Sequence, residues 1–118
     1  MKRTLLTAVC LAALSAGPAF AVDRDFDLTN ATGYPIREIY IDEAAKDHWT
    51  DNAIDAVLDD GDKVRMQFGK GDVGCSWDMK VVWTDNTSSI WKGFNLCQIN
   101  SITLKYNRST DTATAVTN

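Results

Sequence analysis

The chain has 118 residues, a net charge of −4 and 24% charged residues. That length holds one compact domain. An acidic balance is a poor match to nucleic acid, which calls for a basic patch, and to anionic lipid, while a cationic partner is compatible with it.

Residues 1–21 read as a secretory signal. Lys2 and Arg3 form a charged start, residues 5–16 an apolar stretch, and Ala19-Phe20-Ala21 an A-x-A cleavage site after Gly17-Pro18. Cleavage is expected after Ala21. The apolar run is shorter than the roughly 20 residues a membrane span needs, so no anchor is expected after cleavage. A lipoprotein reading would use Cys10, but Val9 precedes it where a lipobox wants Gly, Ala or Ser. Removing 21 residues from 118 leaves 97, and removing Lys2 and Arg3 takes the charge from −4 to −6. Cys10 leaves as well, so Cys75 and Cys97 stand as an even pair. In an oxidising compartment their default is a disulfide.

Residues 25–30 alternate polar and apolar and read as a first strand. Ala31 to Pro35 is punctuated as a turn by Gly33 and Pro35. Residues 36–42, rich in β-branched and aromatic types, read as a second strand that pairs with the first as a hairpin. Residues 43–58 are the least strand-like, and Asp51 is placed to cap a short helix over 53–58. Asp47, Asp51, Asp55 and Asp59 recur every four residues, which on a helix would line one face. Such a face is either a surface for a divalent cation or cationic peptide, or simply the solvated side of an element anchored by Trp49, Ile54 and Leu58. Like charges four apart also repel, which argues against one continuous helix. Asp59-Asp60-Gly61-Asp62 lacks the alternating spacing and closing Glu of a calcium loop and reads as a tight turn.

Residues 63–68 alternate cleanly, with Val64, Met66 and Phe68 inward. The glycine-rich stretch 69–74 has no phosphate-loop pattern and reads as a connection. From 76 to 84, Trp77, Met79, Val81 and Trp83 share one side of a period-two pattern, broken only by Val82. Asp85 to Ser88 supplies turn chemistry. A return strand follows over 89–96. If the two fold back about Asn86, Cys75 meets Cys97 across the pair, where Cβ atoms lie about 4.5–5.5 Å apart, close to the reach of a disulfide. That register sets Trp91 opposite Val81 but leaves Ile90, Phe94 and Leu96 on the other face. The return strand is then either buried on both faces or carries a bulge near Gly93. Residues 101–106 form a further strand and 107–111 a turn, while 112–116 either adds a short edge strand or frays. The N-x-[ST] sequons at Asn30, Asn86 and Asn107 are background in a chain with a bacterial-type signal.

The ordered set F-x-L-x-N-x-T-G-x-x-I (Phe26 to Ile36), Tyr40, Trp49, Gly61, C-x-W-D-x-x-V (Cys75 to Val81), G-F-N-L-C (Gly93 to Cys97) and I-T-L (Ile102 to Leu104) resembles a group of small exported proteobacterial proteins of unknown function. Some of them carry an argininosuccinate-lyase label. That enzyme family is several times longer and largely helical, and its serine-bearing loop motif has no counterpart here. The resemblance implies export and a β fold, and no activity.

No catalytic motif stands out. His48 is the only histidine, there is no G-x-S-x-G, and a disulfide would remove Cys75 and Cys97 as nucleophiles. Zinc would need three or four ligands, so neither metal nor cofactor is expected. A carboxylate pair for glycoside hydrolysis is a weak alternative, since 16 acids permit it without pointing to it. The expected fold is all-β with minor α: a small antiparallel β-sandwich or barrel of six or seven strands, one short helical segment and one disulfide. A signal covers 1–21 and a single β domain 22–118, in the periplasm or secreted. The expected function is non-enzymatic binding of an envelope protein, with a small ligand, glycan or calcium as alternatives. Trp77 and Trp83 are expected in the core, Trp49 and Trp91 less firmly. Oligomeric state is not legible.

Overall fold

A computed structural model describes residues 23–46 and 48–118. Seven strands form two sheets: β1 (Phe26–Ala31), β2 (Ile36–Glu43), β3 (Lys63–Met66), β4 (Ser76–Trp83), β5 (Ser88–Asn95), β6 (Ser101–Asn107) and β7 (Thr112–Thr117). One sheet has the order β3-β1-β6-β7 and the other β2-β4-β5. Alternation places Phe26, Leu28, Met66, Ile102 and Leu104 of the first sheet in one buried cluster with Ile36, Ile39, Trp77, Met79 and Val81 of the second. Fully burying side chains of this size stabilises by about 1.5–3 kcal/mol each.

Two strand-pairing expectations are corrected. The first two strands do not form a hairpin: β1 and β2 lie in different sheets. β1 bonds to β3 and β6 instead, its buried Phe26 and Leu28 facing the core between the sheets, and the 32–35 connection carries the chain across to the second. The pairing is also not wholly antiparallel. β1 runs antiparallel to β3 but parallel to β6, with Leu28 beside Ile102 and Asn30 beside Leu104. A parallel neighbour needs a long crossover, and here the whole second sheet lies between the two strands in sequence.

The expected helix over 53–58 is absent, and no helix occurs among the described residues. The backbone there bonds to β2 instead. Ala53 donates to the Ile39 carbonyl at 2.7 Å, and Leu58 and Ile36 exchange two bonds of 2.9 Å. Asn52 Oδ1 accepts from the amides of Ile39 and Ile54. With Ile54 and Leu58 buried as anchors, this segment covers the free edge of β2, and an i→i−4 ladder would leave that edge bare.

The β4–β5 hairpin forms, in a different register from the one expected. Val81 faces Ser89, and Trp91 faces Met79 rather than Val81. The turn is closed by Trp83 N–H donating to Thr87 O and Asn86 N–H to Trp83 O, with Asn86 left-handed at φ 70°. A bulge then lies between the Trp77–Phe94 and Met79–Trp91 pairs. Gly93 sits in it at φ 73°. The extra residue brings Trp91 and Phe94, three apart, onto the same side against Met79 and Trp77, so of the two alternatives for this strand the bulge is the one found. β2 does the same between Ile36 and Glu38, letting Ile36 and Ile39 both turn inward. Beyond the strand ends, Cys75 and Cys97 form the disulfide, with Cα atoms 5.2 Å apart.

Candidate functional site

Asn30 is fully buried at the end of β1. Its side-chain amide donates to the carbonyls of Tyr34 at 2.7 Å and Leu58 at 2.9 Å. Its Oδ1 accepts from the Thr32 amide and hydroxyl. One side chain therefore ties the β1–β2 connection to the segment that covers β2. Asp60 Oδ1 adds a bond from the Gly33 amide. The result is a fixed position for Tyr34 and Pro35.

Those two residues form one wall of a groove of about 660 Å³. The ends of β4 and β6, and the turns that follow them, form the rest. Lining residues with chemistry to offer are Tyr34, Trp83, Asp85, Ser88, Tyr106 and Asp111. The rings of Tyr34 and Tyr106 meet edge to face, 5.3 Å between centroids and 88° between planes. The Tyr106 hydroxyl donates to Asp111 Oδ1. Trp83 packs one side on the core, half-buried, and its Nε1 donates to Ser89 Oγ at 3.1 Å. The Arg108 guanidinium lies 5.5 Å from the Tyr34 ring centroid. Asp85 accepts from the Thr87 hydroxyl and amide, which hold its carboxyl below the ordinary value. A smaller hollow of about 140 Å³ lies elsewhere, among Ile41, Met66, Phe68, Asp72 and Trp77.

The sequence-expected residues lie away from this groove. The Cys75–Cys97 bridge closes the opposite end of the hairpin, roughly 30 Å from the turn at about 3.3 Å per residue. Asp51, Asp55 and Asp59 are exposed on the covering segment and share no helical face. Asp47 and the Ala21 cleavage site lie outside the described residues. His48 is exposed. Among the described residues no group of three or more His, Cys, Asp or Glu is arranged to hold a metal, and no helix is long and apolar enough to cross a membrane.

A second buried polar centre sits on the far face of the second sheet. Asp78 is only 3% exposed and accepts from the amides of Gly93 at 2.8 Å and Ala45 at 3.3 Å. Lys92 Nζ lies 3.4 Å away. Burial pushes the Asp78 carboxyl up, but the Gly93 and Ala45 amides and Lys92 together outweigh it and hold the group below its ordinary value. Ala45 and Gly93 both carry positive φ, so this carboxylate pins two left-handed turns of backbone.

Sequence reasoning placed Trp83 in the core and passed over Tyr34, Tyr106 and Asp111. The signal available was positional: Tyr34, Trp83 and Tyr106 each stand at a turn, beside Gly33, Thr84-Asp85 and Asn107 respectively. Aromatics at turns are spared from the core and gather where the turns gather.

No family model and no curated protein matches this chain. Among solved structures it is similar to the NMR structure of a protein from Eubacterium rectale, with 12% identity over 86% of this chain and 94% of that one and a TM-score of 0.58. At that identity the likeness shows a shared fold and nothing of activity.

Proposed function

We propose that this chain is an exported, non-enzymatic binding protein: a disulfide-stapled β-sandwich of the bacterial periplasm or exterior that presents the groove at its turn end to a protein of the cell envelope. The observation that carries the reading is the groove itself. Three connections from two sheets converge there, one is locked by the buried Asn30, and together they leave Tyr34 39% exposed. Exposed aromatic side chains are what interaction sites are enriched in. The disulfide and the signal-like start over 1–21 support export.

A glycan is a second reading, favoured by three rings and several hydroxyls around one opening. A photocrosslinking residue at position 87, and separately at position 55, tests the first. Capture of one envelope protein through position 87 and not through 55 is the expected result. Equal capture at both, or none at 87, overturns it.

A further inference from the structure

We propose that the groove receives an arginine-bearing basic segment of a protein partner, with the cationic side chain seated against the Tyr34, Trp83 and Tyr106 rings between Asp85 and Asp111. This rests on the groove-binding reading above and names the chemistry of the partner.

Part of the groove lining is already committed. Trp83 Nε1 is committed to Ser89, and the Tyr106 hydroxyl to Asp111. Two of the lining's donors are thus already used. Ring faces, carboxylate oxygens and the hydroxyls of Tyr34, Thr84 and Ser88 are left, and each of those hydroxyls can accept. A sugar presents hydroxyls that both donate and accept, and it is best met by a mixture of donors and acceptors. A guanidinium has five donors and no acceptor, and it stacks on aromatic faces, so acceptors and rings are what it needs. Asp85 and Asp111 come from separate turns, and neither pairs with a basic side chain among the described residues. Asp85 holds its negative charge at all but low pH, because Thr87 bonds to the ionised form.

The site also supplies its own precedent. The guanidinium of Arg108 already lies over the Tyr34 ring at 5.5 Å, within the range of an attractive cation–ring contact. The rim therefore accommodates a guanidinium, and Arg108 contributes a like charge that an incoming cation must tolerate. The net charge of −4 on the whole chain adds long-range attraction for a basic segment.

The test is an NMR titration of the purified protein with a capped hexaarginine peptide and, separately, with cellohexaose, at roughly 20 mM and 300 mM salt. Hexaarginine is expected to move the amides of 84–88 and 107–111 in a saturable way, more weakly at high salt. Tyr34→Leu, which keeps bulk and removes the ring, is expected to weaken binding by about two- to five-fold. Asp85→Asn with Asp111→Asn weakens it further. Arg108→Gln removes the like charge and tightens binding of hexaarginine, while leaving any binding of a neutral glycan unchanged. Shifts scattered over Asp51, Asp55 and Asp59 instead of the groove overturn the inference, as does Arg108→Gln binding no tighter than the unaltered chain. Groove shifts with cellohexaose and none with hexaarginine also overturn it, yet leave the groove as a binding site. If neither probe moves the groove, the cationic inference falls, and the crosslinking experiment at position 87 then decides the groove reading by itself.

Discussion

At the scale of single residues, two buried polar side chains carry more of this fold than their number implies. Asn30 makes two donor bonds that only an amide supplies. Asn30→Asp keeps the shape but replaces the one nitrogen that makes both bonds with an acceptor oxygen facing the Tyr34 and Leu58 carbonyls. The unpaired buried groups should cost about 3 kcal/mol or more, read as a fall in the urea midpoint. A loss under about 1 kcal/mol would show that the side chain is not the hub its bonds describe. The same burial means that the Asn30 sequon offers no accessible acceptor in the folded chain. Asp78 makes a different prediction, because its carboxyl titrates. Its folded value lies below its ordinary value of 3.8, so the unfolded chain binds the proton first as pH falls. The stabilisation is complete above the ordinary value and is lost as pH drops through the folded one. Asp78→Asn should lower the melting temperature at pH 7 and flatten its decline in acid, since the variant has no proton to take up there. Asp85 shifts in the same direction in both proteins and so drops out of the comparison. Parallel acid slopes for the two proteins would contradict the account.

At the scale of elements, the strands were legible because turn residues punctuate them and most of each strand alternates. All seven stand within about two residues of the sequence-expected bounds, the margin within which such boundaries are ordinarily defined. The registers were not legible, and the reason is local. Apolar pairs three apart, Ile36 with Ile39 and Trp91 with Phe94, break period two, and a single extra residue restores a common face. A period-two reading alone reports such pairs as a face conflict, which is how the return strand looked. The segment over 53–58 misled for the opposite reason: alanines and a capping Asp51 favour a helix locally, but the open edge of β2 offers its amides and carbonyls more than the segment offers itself. The bulge in β5 is directly testable. Nothing lies within 4 Å of where a Cβ on Gly93 would stand, and its φ is +73°. Substitution there meets no clash, only the left-handed backbone. Gly93→Ala should cost about 1–2 kcal/mol, and Gly93→Asn less, because Asn tolerates that conformation. Equal losses for the two would mean that the bulge is held by something other than backbone conformation. The disulfide acts at the other end of the element scale. Cys75→Ser with Cys97→Ser should lose about 3 kcal/mol, the loop-closure contribution for a bridge of 22-residue separation.

At the scale of the whole molecule, no local pattern reveals which strands sit side by side. The parallel pairing of β1 with β6 joins residues more than 70 apart, and the groove exists only because that pairing brings the 107–111 turn beside Tyr34. The topology therefore decides the candidate site, and the site was out of reach for the same reason the topology was. The topology also decides which edges stay open. The edge of β2 is covered by residues 52–58, and β5 carries Lys92 and a bulge. β7 has neither device. It reads Thr-Ala-Thr-Ala-Val-Thr, ends its sheet, holds no charge, and leaves Val116 half exposed. An uncharged, unbulged edge is a template for another strand. At neutral pH the net negative charge of the chain opposes association of copies. Acid removes that charge by protonating carboxylates, and it leaves the strand unchanged. Self-association should therefore rise as pH falls from 7 toward 4, seen as a larger sedimentation coefficient, and before any loss of the folded-state spectrum. Val116→Lys places a charge on the exposed edge that acid does not remove, and should keep the protein monomeric across the same range. Association that persists in Val116→Lys would place the contact on another surface, with the exposed Ile90 on β5 the next to test.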